Sequence, residues 1–287
     1  MKRVALFGFP AAHSVSPAMH NAAFAALRLP WAYSAIEVTP EELADWIEQM
    51  RGADWAGANV TVPHKVAAAD RMDELADTAR KIGAINTIVN EDGRLVGHNT
   101  DAEGFAADLA EQGVEVAGRP AVLLGAGGAA RAVAHALVEL GASLRIVCRN
   151  QEAGRDLTEA FSGAADEPRV HAWKREGFRD AAGGAALIVN ATPVGMSPDI
   201  DGCPWPADVP MPAGAFIYDL VFNPFETRLV VAARAAGRNA CGGLGMLVEQ
   251  GARSFQLWTG AAPPRSIMKA AARAALEKQD AQIPYSR

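Results

Sequence analysis

The chain has 287 residues, 50% of them hydrophobic and 21% charged, with a formal net charge of −6. That length allows one large or two medium domains with a sizeable core. An acidic balance without a run of like charges argues against a general nucleic-acid or membrane-surface binder, since both need a basic footprint.

Three scattered cysteines, Cys148, Cys203 and Cys241, with no Cys-x-x-Cys spacing, make neither a disulfide framework nor a zinc knuckle. The opening apolar run is too short for a signal peptide, and no segment approaches the roughly 18 apolar residues of a membrane span. The expectation is a soluble, cytoplasmic protein, monomer or homodimer, whose partner is a small molecule and neither nucleic acid nor membrane.

Along the first hundred residues, strand-like runs ("VALFGF", "WAYSAIEV", "AGANVTV") alternate with helical ones ("SPAMHNAAFAAL", "PEELADWIEQM"). This alternation predicts strand–helix–strand units and a mostly parallel sheet. Ser16-Pro17 and Thr39-Pro40 read as helix starts, with proline behind a capping hydroxyl. "AINTIVN", the turn "EDG" and "RLVGHN" predict a hairpin. A helix then starts at "TDAEGFAADLAEQG", capped by Thr100 or Asp101 and ended by Gly113. A strand, a glycine turn, a helix and a second strand follow in "RPAVLLGAGGAARAVAHALVELGASLRIVCRN". Further strands appear in "AALIVNATPVG" and "GAFIYDLVF", and helices in "LGMLVEQGARSFQLWTG" and "PPRSIMKAAARAALEKQ". The fold class is α/β with two domains, residues 1–101 plus 240–287 and residues 102–239, and a cleft between them.

Gly125, Ala126, Gly127, Gly128 and Ala129, closing on Ala130, fit G-x-G-x-x-A between an apolar strand and a helix, the context of a dinucleotide fingerprint. Small side chains let the backbone approach a pyrophosphate, whose charge is met by the helix N-terminus. The second strand is followed by Arg149 rather than an acid, and a guanidinium suits a 2′-phosphate. The cofactor expected is therefore NADP. The bland reading of Arg149 is an exposed arginine at a strand end.

Lys65, just past "NVTVPH", is expected at the start of a helix, where the macrodipole disfavours an ammonium and would suit it to proton transfer. A lysine alone is more often a solvated surface group. His64 is the rival proton carrier, though its setting beside a proline reads as structural. Asp101 is either a helix cap or the partner of Lys65, and spacing alone cannot bring the two together.

The segments "HSVSPAMHNAAF", "NVTVPHK", "GAINT", "HNTDAEGF", "GAGGAARA", "NATPVGM", "YDLVFNP" and "GLGMLVEQGARSFQLW" resemble, in order, the signature series of shikimate dehydrogenases. The resemblance implies reduction of 3-dehydroshikimate to shikimate with NADPH, in aromatic amino-acid biosynthesis. It implies Lys65 and Asp101 as the catalytic pair and Ser14 and Ser16 on the substrate carboxylate. It further implies Asn59, Thr61, Asn86 and Asp101 at the ring hydroxyls, with Gln250 closing the site. On the cofactor side it implies the glycine turn, Arg149 with Asn150, Asn190, Thr192, Leu220 and Gly243. No metal is expected.

The sequence departs from the family pattern in places. Phe222 stands where the family commonly carries a substrate-touching tyrosine, so the ring is kept and the hydroxyl lost. Cys148 and Asn150 flank Arg149, and Ala153 occupies the position of a usual second basic residue, with Arg155 close by. These departures leave open a quinate/shikimate dehydrogenase with relaxed substrate or cofactor choice. A reading from another class is a non-catalytic NADP-sensing regulator, which would explain the glycine turn but not the polar set.

Overall fold

The computed structural model describes residues 1–163 and 166–280. Residues 281–287, the end of the expected 240–287 segment and most of its polar tail, lie outside the described residues. The chain forms two compact units, one of residues 1–104 with 248–278, the other of 105–247 with 279 and 280.

The first unit carries β1 (Lys2–Gly8), α1 (Ser16–Ala26), β2 (Trp31–Glu37), α2 (Leu43–Gln49), β3 (Trp55–Val60), β4 (Glu74–Leu75), α3 (Asp77–Ile82), β5 (Thr87–Glu91) and β6 (Arg94–His98). Its sheet runs β2-β1-β3-β5-β6-β4, parallel except where β5 pairs with β3 and with β6. The β5–β6 hairpin turns at Asp92 (φ 52°) and Gly93 (φ 96°), two consecutive left-handed residues that match the twist of the flanking strands. Fully buried Phe7, Met50, Ile85, Ile88 and Leu95 belong to one core cluster beside this sheet.

Two helix starts differ from expectation. Val15 is the N-cap residue of α1, so Ser16 lies inside the first turn and its hydroxyl caps nothing. Thr39 precedes a turn, its N–H donating to Glu42 Oε2 at 2.9 Å, and α2 begins only at Leu43.

α4 (Asp101–Glu111) leads from the first unit into the second, which continues with β7 (Pro120–Leu124), α5 (Gly128–Glu139), β8 (Ser143–Cys148), α6 (Gln151–Glu159), β9 (Arg169–Ala172), α7 (Arg175–Ala182), β10 (Leu187–Asn190), β11 (Phe216–Asp219), α8 (Arg228–Ala235) and β12 (Ala240–Cys241). The strand order is β12-β11-β10-β7-β8-β9 and every pairing is parallel. This is the doubly wound order, with its switch point between β7 and β10. α9 (Leu244–Thr259) leads back and α10 (Arg265–Asp280) follows. Within the first unit α9 meets α4 closely, because a Cβ on Gly104 would lie 2.7 Å from Gln250 N. Among the described residues, no helix is long and apolar enough to cross a membrane.

Candidate active site

In the first unit the polar residues gather past the carboxyl ends of the parallel strands β1 and β3, where open α/β sheets commonly bind ligands. β3 ends at Val60, and Thr61 follows, its N–H bonded to Phe7 O and its carbonyl accepting from His64 N. The α-helix expected at Lys65 does not form; turns lead into a short 3₁₀ segment, Ala69–Arg71. The reason is the Lys65 carbonyl, which accepts from Ile85 N at 2.8 Å, while Ala69 N bonds Val66 O instead. The dipole expected from a helix starting at Lys65 itself is therefore absent. Its setting is defined by a carboxylate: Lys65 Nζ donates to Asp101 Oδ2 at 2.5 Å, with the two side chains 12% and 6% exposed. His64 is buried, and its ring nitrogen Nε2 is engaged by Val38 O at 2.6 Å.

Asp101 is free to take that partner because it is not the cap of its own helix. Asn99 Oδ1 accepts from Asp101 N (3.1 Å) and Ala102 N (3.4 Å), so Asn99 caps α4 in place of the expected Thr100 or Asp101. Asn86 then sets the other carboxylate oxygen. Thr100 N donates to Asn86 Oδ1 at 2.7 Å, and since a backbone N–H can only donate, it fixes which way the amide points. Asn86 Nδ2 is thereby directed to Asp101 Oδ1 (2.8 Å) and Gln250 Oε1 (3.1 Å).

Asn59 lies behind this pair. Its Nδ2 donates to Asn86 O (3.0 Å), Thr87 Oγ1 (3.1 Å) and Ser254 Oγ (3.1 Å), and its Oδ1 accepts from the Tyr33 hydroxyl at 2.8 Å. Thr87, Thr100 and Ser254 form a buried hydroxyl cluster, with Ser254 Oγ 2.7 Å from Thr87 Oγ1 and 3.1 Å from Thr100 Oγ1. Lys65, Asp101, Asn86, Gln250 and Asn59 are thus joined in one network. Ser14 Oγ accepts from Ser16 N at 3.2 Å. Tyr33, Thr87 and Ser254 were not singled out from the sequence, because a tyrosine and a threonine in strands and a serine in a helix carry no local mark.

In the second unit the glycine turn opens at the switch point. Gly125 (φ +106°) follows β7, and a Cβ there would also press to 3.0 Å from Thr192 Cγ2. Gly127 is the N-cap residue of α5, and a Cβ there would meet nothing within 4 Å, so the turn leaves open space in front of the helix N-terminus. That geometry fits a pyrophosphate. Ala130 is fully buried, as the third small position requires. Arg149 is exposed just past β8; Asn150 beside it caps α6, its Oδ1 accepting from Glu152 N (3.0 Å) and Ala153 N (3.1 Å). Arg155 is likewise exposed on α6.

Asn190 ends β10, the strand paired with β7, and its Oδ1 accepts from Thr192 N (3.0 Å) and Thr192 Oγ1 (2.6 Å). Its Nδ2 donates to Asp219 Oδ1 at 2.8 Å. Fully buried Asp219 also accepts from Val221 N (3.0 Å) and Thr227 Oγ1 (2.6 Å). Burial pushes its carboxyl up to about 6, against the pull of those three donors. Leu220 packs its carbonyl on Gly243, where a Cβ would collide with it, and Phe222 is half-buried on the same segment. Among the described residues no three of His, Cys, Asp and Glu are placed to share a metal ion.

A doubly wound unit with a glycine turn at its switch point, together with a unit presenting a lysine–carboxylate pair amid amides, defines a dinucleotide-linked α/β protein that handles a small polar molecule. Residues 6–88 match the family described as "Shikimate dehydrogenase substrate binding domain", and residues 243–273 that described as "Shikimate 5'-dehydrogenase C-terminal domain". The chain is 46% identical over 277 residues to the shikimate dehydrogenase (NADP(+)) of Symbiobacterium thermophilum, covering 96% of this chain and 94% of the relative. It is similar to shikimate 5-dehydrogenase from Thermus thermophilus, solved in complex with NADP(H) and shikimate, at TM-score 0.85 and 41% identity, covering 96% of this chain and all of that one. A Listeria monocytogenes shikimate 5-dehydrogenase solved with shikimate and NAD matches at TM-score 0.85 and 33% identity, covering 94% and 96%. The chain belongs to the shikimate dehydrogenase family.

Proposed function

We propose that this chain is an NADP-dependent shikimate dehydrogenase, interconverting 3-dehydroshikimate and shikimate in the pathway to aromatic amino acids, with Lys65 and Asp101 as its acid–base pair. The observation that carries the residue assignment is the 2.5 Å contact between these two largely buried side chains, with both Asp101 oxygens engaged. In this scheme the first unit holds the substrate and the second the dinucleotide. NADPH supplies the hydride to the substrate's ketone carbon.

The chain's own residues then have the following work. Lys65 Nζ gives a proton to the oxygen as negative charge develops there. Asp101 holds the ammonium in place and favours its return to the charged form. Asn86, Gln250, Asn59 and Thr61 meet the ring oxygens, and Ser14 and Ser16 the carboxylate. Each ring oxygen left without a partner in such a site would cost on the order of 1–3 kcal/mol, which is the source of discrimination among polyol acids. Gly125 to Ala129 receive the pyrophosphate, Arg149 the 2′-phosphate, and Asn190, Thr192, Leu220 and Gly243 line the remainder of the dinucleotide's place.

Relaxed choice of substrate or cofactor is the second reading, and two observations favour it. Phe222 carries no hydroxyl, and Arg149 has Ala153 rather than a second cation after it. A non-catalytic NADP sensor has no use for the Lys65–Asp101 pair. Nothing in the scheme calls on a second copy, so a monomer suffices and a homodimer is compatible; its need for NADPH favours the cytoplasm. The test is to follow nicotinamide absorbance with shikimate and quinate, each against NADP and NAD. Activity confined to shikimate with NADP supports the first reading, turnover of quinate or NAD supports the second, and cofactor binding without turnover in any pairing supports the sensor.

A further inference from the structure

Tyr33 is a buried residue at the centre of a set of contacts that the scheme above leaves unexplained. One helix grips it at two points. Asn21 of α1 clamps its backbone, donating Nδ2 to Tyr33 O and accepting from Tyr33 N, both at 2.9 Å. One residue earlier, His20 stacks on the ring at 4.5 Å between centroids and 8° between planes. Trp258 packs beside the ring as well, 6.1 Å between centroids.

The direction of the hydrogen bonds can be read from groups that have no choice. The Asn86 carbonyl only accepts, so Asn59 Nδ2 faces it and Asn59 Oδ1 faces Tyr33. Tyr33 must then donate its proton to Asn59 Oδ1. The His20 ring, fully buried and held neutral by that burial, has neither nitrogen hydrogen-bonded among the described residues, so it acts as a flat plate and not as a competing donor. A hydroxyl on β2 therefore sets the side-chain amide of Asn59 on β3.

We infer that Tyr33 is a positioning residue for the substrate half of the site, its hydroxyl holding the Asn59 amide in a single orientation. The inference rests on the reading that Asn59 contacts the substrate. Burial strongly disfavours the phenolate, so the group stays a neutral donor through the working pH range.

The test is Tyr33→Phe, which keeps the ring, its stack on His20 and the Asn21 clamp, and removes one oxygen. Asn59 Oδ1 loses its donor. The KM for shikimate is expected to rise about 5- to 30-fold, with the KM for NADP within about 2-fold and the melting temperature little changed. Asn59→Ala is measured alongside, and the double variant Tyr33→Phe/Asn59→Ala is expected to lose less than the product of the two single effects, because both act through one hydrogen bond. An increase in shikimate KM for Asn59→Ala with none for Tyr33→Phe would overturn the inference and leave the substrate reading standing. No increase for either variant would overturn both. Equal losses towards shikimate and NADP, with a lowered melting temperature, would make Tyr33 a general structural residue and refute its positioning role.

Discussion

Lys65 and Asp101 stand 36 residues apart in sequence and 2.5 Å apart in space, donor to carboxylate, in a setting where little water reaches either side chain. The relationship is built by backbone choices on both sides. Lys65 is kept out of a helix by Ile85, and Asp101 is relieved of capping by Asn99. If the pair is the acid–base device, Lys65→Ala lowers kcat for shikimate oxidation on the order of 10³-fold, while the dissociation constant for NADP changes little. Steady-state rates and a cofactor titration decide it, and retained turnover removes Lys65 from the mechanism.

Asn86 is the residue whose loss should disturb that pair without touching either member. Asn86→Ala leaves Thr100 N–H, Asp101 Oδ1 and Gln250 Oε1 without this partner. The expected outcome is a stability loss of about 1–3 kcal/mol by urea unfolding, because buried groups are left unpaired. A drop in kcat larger than the rise in NADP KM should accompany it. Unchanged kcat would show that Asp101 needs no such support.

Cofactor choice should lie with an exposed arginine. Arg149→Ala is expected to raise the KM for NADP by about 10- to 100-fold, the worth of one or two charge-assisted hydrogen bonds, and to leave the KM for NAD nearly as it was. Initial rates with both cofactors check this. Equal loss towards both would mean that Arg149 supports the fold of the β8 end and does not read the 2′-phosphate.

Asp219 gives a pH dependence with a definite sign. Its native carboxyl lies at about 6 against an ordinary 3.8, raised by burial. Between those values the native state holds a proton that the unfolded chain has lost, so this residue's contribution to stability falls as pH rises from about 4 to 6 and is flat above. Asp219→Asn removes that slope while keeping the shape. The stability of the parent relative to the variant should therefore decline by about 2 kcal/mol between pH 4 and pH 7. Urea melts of both proteins across that range test it; parallel curves would mean that the carboxyl is not perturbed.

Sequence patterns reported the parts of this protein that depend on local chemistry. Asp92-Gly93 marks the hairpin because two left-handed residues are needed there, and the glycine turn marks the switch point because a tight strand-to-helix turn and an approaching phosphate both demand small residues. What local chemistry could not report was competition for the same backbone group. The segment from Lys65 reads as a helix until Ile85, twenty residues on, claims its carbonyl. Ser16, Thr100 and Asp101 all read as caps, yet Val15 and Asn99 occupy those positions. Tyr33 and Ser254 gain their meaning only from strands and helices far along the chain, so an inspection of either neighbourhood shows an ordinary strand or helix residue.

The most direct measurement is the appearance of reduced nicotinamide when purified protein is mixed with shikimate and NADP, run beside Lys65→Ala under the same conditions. The expected result is steady reduction of NADP by the parent and a rate on the order of 10³-fold lower in the variant, with shikimate still bound by both. Reduction at comparable rates in the two proteins, or none in the parent while both ligands bind, would contradict it.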